Sequence, residues 1–123
     1  MKSTRSTPGA LRTLFSGVLF SAFVVAIPPA QALDAEAAKA LARQNNCLKC
    51  HAIDKDKDGP SYKKVAEKYK GKANAEARLV EHITSGEKAK FPDGHEEEHK
   101  IVKTSPPKDM EQVKNLVQWI LAQ

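Results

Sequence analysis

Cys47-Leu48-Lys49-Cys50-His51 is the stretch on which the reading of this chain turns. Two thiols three positions apart, followed at once by an imidazole, form the C-x-x-C-H pattern of a c-type haem attachment site. Cys47 and Cys50 are spaced for thioether bonds to the two vinyl groups on one edge of a porphyrin, and His51 falls beneath the ring as an iron ligand. The chain has two cysteines in all, so one haem c bound here would use every thiol. A thioredoxin-like redox pair is the first competing reading, but that motif belongs between a strand and a helix, and nothing resembling a βαβ unit precedes Cys47. Half of a zinc site is the second; no further C-x-x-C or H-x-x-x-H follows at a usual finger spacing, although His95 and His99 lie four apart.

Upstream of the motif, residues 1–32 read as a secretory signal peptide. Lys2, Arg5 and Arg12 give a basic start, Leu14 to Ile27 an apolar core, and Ala30-Gln31-Ala32 a small-residue cleavage site. Cleavage after Ala32 would leave a mature domain of 33–123 in the periplasm. The competing reading, an uncleaved anchor, needs roughly 20 apolar residues to cross a bilayer, and this run is shorter.

Removing the leader changes the charge argument. The whole chain carries 20 basic and 15 acidic residues, for +5. The leader holds three of the basic and none of the acidic ones, so the mature domain is close to +2. That is a poor case for nucleic-acid binding, which needs a basic face on the mature domain. Basic residues are dense between Lys63 and Lys72, as a docking patch for an acidic partner or as a solvated helix face. A domain this small builds little core of its own, and a covalently held porphyrin would fill its centre. Export also fits, since the compartment is oxidising and thioethers would protect both thiols.

The expected fold class is all-α, with about four helices around the haem. Asp34 caps a first helix over Ala35 to Asn45 with Ala37, Ala38, Leu41 and Ala42 inward. After the motif, Asp54 to Asp58 is a charged turn ending in Gly59-Pro60. A second helix spans Ser61 to Lys70, with Tyr62, Val65, Ala66 and Tyr69 at helical spacing and Gly71 as its stop. A third runs from a cap at Asn74 to Ser85, with Leu79, Val80 and Ile83 inward and Gly86 behind it. The last starts from Asp109, with Gln112 three positions on in a capping-box-like arrangement. It buries Val113, Leu116, Val117, Ile120 and Leu121, with Trp119 flanking. No period-two strand pattern stands out.

These elements together resemble a known family. A helix leading into Cys47-Leu48-Lys49-Cys50-His51-Ala52-Ile53, then Gly59-Pro60-Ser61-Tyr62, then Ile83-Thr84-Ser85-Gly86, and Pro106-Pro107 before a helix carrying Leu116-Val117-Gln118-Trp119-Ile120-Leu121 is similar to the small single-haem class I cytochromes c of bacteria. The resemblance implies first and last helices crossing near one haem edge, and one-electron transfer in the periplasm. By position, Cys47 and Cys50 match the thioether cysteines and His51 the proximal ligand. Pro60 matches the proline whose carbonyl accepts the second N–H of that imidazole, which fixes its tautomer. His82 resembles a basic position near a haem propionate, with a partly exposed surface histidine as the alternative.

The sequence departs from the family at the sixth iron ligand. Where a methionine is expected before the proline pair, the chain reads Lys103-Thr104-Ser105-Pro106-Pro107. Met110 falls in the first turn of the last helix, where a hydrophobic contact with the core accounts for it better. The loop from Glu87 to Ser105 is long and polar and carries His95 and His99, whose spacing would place both on one helical face. His99, nearer the family's ligand position, is the first candidate; His95, Lys103 and Met110 follow. If both histidines are surface residues, the iron stays five-coordinate.

The ligand set divides the functional classes. Two strong axial ligands make a low-spin electron carrier, neither enzyme nor sensor, working between redox protein partners such as a periplasmic dehydrogenase, reductase or oxidase. Such a carrier would be a monomer or a small subunit of a redox complex, without stable membrane insertion. An open distal side makes a haem protein that binds or senses NO, O2 or sulfide. Catalysis would need an acid or base over an open iron; Glu96 to Glu98 could offer a carboxylate, though a charge run of this kind reads more simply as a solvated face.

Overall fold

The computed structural model describes Thr4 and residues 32–123. Apart from Thr4 and Ala32, the expected leader lies outside the described residues. Among them, no helix is long and apolar enough to cross a membrane. Gln31–Gln123 form one compact unit.

Helix α1, Ala35–Gln44, starts where expected. The Asp34 carboxylate accepts from the Ala37 N–H, and Ala38, Leu41 and Ala42 are buried. Asn46 then adopts a left-handed conformation with φ 56°, which asparagine tolerates better than most residues. This break turns the chain into a one-turn helix that the sequence reading did not anticipate, α2, Cys47–Cys50.

Three longer helices follow. Helix α3, Tyr62–Tyr69, is capped by the Ser61 hydroxyl, which accepts from the Lys64 N–H. Helix α4, Ala75–Ser85, ends at Gly86 with φ 73°, a left-handed close that glycine adopts without steric cost. Helix α5, Met110–Leu121, begins at Asp109, whose carboxylate accepts from the Glu111 and Gln112 N–H groups. The expected capping box takes a different form: Gln112 Nε2 donates to the Asp109 carboxylate and to the Ser105 carbonyl, and the Asp109 N–H is taken by Thr104 Oγ1.

Helix α5 is the packing centre. It lies against α1, α3 and α4, and its Val113, Leu116, Val117, Trp119 and Ile120 meet Leu41, Tyr62, Leu79 and Ile83 in one core. Trp119, expected to flank this stripe, is inside it at 3% exposure and meets Tyr62 edge-on. Asn115 ties the start of α1 to α5 at two points, accepting from the Asp34 N–H at 2.9 Å and donating to the Asp34 carbonyl at 2.8 Å.

Between α4 and α5 the chain forms a feature absent from the sequence reading. Strands β1, Lys88–Lys90, and β2, Glu96–Glu98, pair antiparallel with Lys88 opposite Glu98 and Lys90 opposite Glu96. Opposite charges across such a pair stabilise it. The turn is closed by Gly94, with φ 92°, and by stacking of the Phe91 and His95 rings at 4.3 Å. The fold remains dominated by helices, as expected, but His95 and His99 sit at the two ends of a strand and share no helical face.

Candidate functional site

The attachment segment, α3, α4 and the ribbon enclose a cavity of about 680 Å³, within the size range of sites for large organic ligands. Cys47, Cys50, His51, Pro60, His82 and His99 all line it, with Leu79, Ile83, Val102, Leu116 and Ile120 among the apolar walls. His95, Lys103 and Met110 are not among its lining residues. Met110 is 41% exposed and is not one of the buried residues of the core cluster.

His51 is held from two sides. Its Nδ1–H donates to the Pro60 carbonyl at 2.7 Å. A carbonyl only accepts, so Nδ1 carries a proton, and Nε2 is the nitrogen left to offer a lone pair to a metal. Gly59 supplies the second constraint. A Cβ there would stand 2.8 Å from His51 Nδ1 and 2.9 Å from Nε2, and the Gly59 N–H is itself tied to the Cys50 carbonyl at 2.8 Å. Sequence reasoning treated Gly59 as turn punctuation, because its need for a bare Cα arises only once His51 lies against it. On its other side the His51 ring stacks on Tyr62, with centroids 5.4 Å apart.

His99 leaves β2 and reaches the same cavity. Its N–H closes the foot of the ribbon on the Glu87 carbonyl at 2.9 Å, and its Nδ1–H donates to the Lys100 carbonyl at 3.0 Å. Nε2 is again the free nitrogen. Burial, with the neighbouring His82 ring adding to it, lowers the pKa of His99 and favours the neutral imidazole. His95 has the opposite bias: bonding to Asp93 raises its pKa, and the protonated form that this favours cannot bind metal.

The rings of His51 and His99 have centroids 6.3 Å apart. Two metal–imidazole bonds of about 2.0–2.1 Å, extended by the half-width of each ring, give a separation of about 6.3 Å. Among the described residues no group of three or more His, Cys, Asp or Glu is placed to hold a metal ion. Two imidazoles without a third protein donor suit a metal whose remaining ligands belong to a cofactor.

The two cysteines are free. Burial pushes the Cys47 thiol above its ordinary pKa, which makes it a poor zinc thiolate; a thioether needs no ionisation. His82 packs against His99 with centroids 4.3 Å apart, and its Nδ1 is bonded to the Glu87 carboxylate. Arg78 Nη2 donates to the same carboxylate at 2.6 Å. Arg78 and Glu87 carry no motif, and sequence reasoning passed over both.

The family model for cytochrome c matches residues 35–123. The chain belongs to the cytochrome c family. Cytochrome c-551 of Pseudomonas aeruginosa is 46% identical over 57 residues, covering 46% of this chain and 55% of that protein. Cytochrome c-551 of Azotobacter vinelandii is 31% identical over 86 residues, covering 70% of this chain and 96% of that one. The crystal structure of the class 1 cytochrome MtoD from Sideroxydans lithotrophicus ES-1 shares 68% identity with a TM-score of 0.69, covering 74% of this chain and 97% of that one. The chain spans about half the length of the three curated relatives it matches first, at 55%, 51% and 49%.

The expected class I cytochrome c fold is therefore the fold of this chain. A cytochrome c holds one covalently bound haem c, and this chain has two cysteines for its attachment. The cavity suits that group in size, in its apolar walls, in the buried, un-ionised Cys47 thiol and in the imidazoles of His51 and His99 that line it together.

Proposed function

We propose that this cytochrome is a periplasmic carrier of single electrons with His51/His99 iron ligation, in which Cys47 and Cys50 bind the haem. The observation that carries the reading is the 6.3 Å separation of two imidazoles whose Nδ1 protons are both committed to backbone carbonyls. The bound haem iron supplies the one-electron couple. The protein's part is to hold both ligands still. Pro60 fixes the tautomer and direction of His51, Gly59 and Tyr62 confine its ring, and the foot of the ribbon sets His99. Prepositioned ligands limit how much the site rearranges when an electron arrives. A second imidazole in place of a thioether lowers the reduction potential relative to His/Met ligation. His82, whose Nδ1 is bonded to the Glu87 carboxylate, lines the cavity on the side of His99.

On this reading the chain works between redox proteins and catalyses nothing itself. The expected leader, residues 1–32, would deliver it to the periplasm. The test is the electron paramagnetic resonance spectrum of the ferric holoprotein, natural and with His99→Ala or His95→Ala. Low-spin, two-nitrogen signals in the natural protein and His95→Ala, with a high-spin signal in His99→Ala, are expected. A high-spin natural protein would overturn the carrier reading in favour of small-ligand binding at an open distal side.

A further inference from the structure

Helix α1 ends beside the attachment segment, and the chain that carries His99 passes across that end. Asn45 joins them. Its Oδ1 accepts from the Lys103 backbone N–H at 2.7 Å, and its Nδ2 donates to the Lys103 carbonyl at 3.0 Å. The same amide nitrogen donates to the Leu41 carbonyl at 3.0 Å, which also accepts from the Asn45 backbone N–H at 3.0 Å. Both amide protons and the amide oxygen are thus used. Because the Lys103 N–H can only donate and its carbonyl can only accept, the orientation of the amide is fixed.

The contact links distant parts of the chain, 58 positions apart in sequence, at a place where little else does. Between His99 and Lys103 the backbone is otherwise held at Val102, whose N–H donates to the Ile83 carbonyl at 2.9 Å. Ile101 is 52% exposed, and the apolar anchorage of the segment comes from Val102, which packs against the core. His99 is therefore suspended between the foot of the ribbon on one side and the Val102 and Asn45 attachments on the other. Asn45 lines the same cavity as His51 and His99 and stands two positions before Cys47.

We propose that Asn45 is a positioning residue for the distal ligand: its side-chain amide clasps the backbone of Lys103 to the end of α1 and so sets the rate at which His99 leaves the iron. The inference rests on His51/His99 ligation. An imidazole can leave only if the segment that carries it swings away. Releasing the clasp removes two hydrogen bonds that resist the swing while leaving the ligand intact.

The test is the rate of cyanide binding to the ferric holoprotein at saturating cyanide, where loss of the protein's own ligand limits the reaction. Asn45→Ala is expected to raise that limiting rate about tenfold, in keeping with the loss of one to two modest hydrogen bonds. Its resting low-spin spectrum should stay unchanged. Asn45→Asp keeps the size of the side chain and the acceptor for the Lys103 N–H but loses the donor, and should also bind cyanide faster. Asn115→Ala, which cuts the comparable two-point contact at the other end of α1, is expected to lower global stability without changing the cyanide rate. A rise of similar size in Asn115→Ala would reduce Asn45 to a general structural role. Equal limiting rates in Asn45→Ala and the natural protein would overturn the clasp. His99→Ala separates the two ideas: if it stays low-spin, the ligation reading fails; if it is high-spin while the Asn45 variants bind cyanide at the natural rate, only the clasp fails.

Discussion

Replacing Gly59 by alanine should disturb His51 by a calculable amount. The backbone is not the obstacle, because among the described residues the positive-φ glycines are Gly71, Gly86 and Gly94. The side chain is. Its Cβ would lie 2.8 Å from His51 Nδ1 and closer still to Cε1, so the ring must retreat by more than the roughly 0.6 Å that Nδ1 alone needs to recover an ordinary van der Waals separation of 3.4 Å. Metal–ligand distances hold to about ±0.2 Å, so the iron bond cannot absorb such a shift unaided. The hydrogen bond to Pro60, at 2.7 Å, ties the same ring nitrogen and also opposes a shift. Overpacking of this kind costs about 1–3 kcal/mol. With a guanidinium m-value of about 3 kcal/mol/M, the unfolding midpoint of the holoprotein should fall by about 0.3–1 M. The ferric spectrum should report a perturbed proximal imidazole. Gly71→Ala is the control: nothing lies within 4 Å of the new Cβ, but φ is 72°, so stability should fall with no spectral change. A Gly59→Ala protein with the natural midpoint and the natural spectrum would refute the close approach of glycine and imidazole as the reason for Gly59.

Two further outcomes follow from the geometry. Bonding to Arg78, and then to His82, holds the Glu87 carboxyl below the usual carboxylate range. Its folded pKa is depressed, so the stability it contributes is fully present above about pH 4.3 and is lost as pH falls through the folded value. Arg78→Met should therefore begin to lose structure at a higher pH in an acid titration followed by circular dichroism, and an unchanged acid midpoint would count against the Arg78–Glu87 pair. Leu116→Ala, at a site 1% exposed where α5 meets the other helices, should cost about 2–5 kcal/mol in denaturant unfolding; a cost under 1 kcal/mol would mean that α5 does not organise the core.

Much of this architecture was legible from residue pattern. The stripes Ala38-Leu41-Ala42 and Val113-Leu116-Val117-Ile120 repeat at helical spacing, and Asp34 and Asp109 cap their helices as expected, whereas Ala37 is exposed, Asn74 makes no side-chain cap bond, and Ser61, expected inside a helix, is its cap. Such signals are local. The ribbon escaped notice for the opposite reason: Lys88–Lys90 and Glu96–Glu98 show no buried alternation, and they become strands only by pairing with each other. The candidate site divides along the same line. Cys47, Cys50, His51 and Pro60 belong to motifs, and His99 was reached by its distance from the proline pair. Gly59, Glu87 and Asn45 gain their places from what lies against them in space, which spacing along a chain does not encode.

The foot of the ribbon has a consequence for how such a domain changes over generations. Because the His99 N–H bonds to the Glu87 carbonyl, the path out along β1 and back along β2 starts and finishes at almost the same point. Residues 88–98 form a detachable cassette, and lengthening or trimming it costs little in closure entropy. Insertions there leave α4, α5 and His99 in register and alter only the side chains that the excursion itself lays along the cavity. The excursion can thus change in length while Glu87 and His99 stay side by side and the helices that carry the hydrophobic core keep their packing.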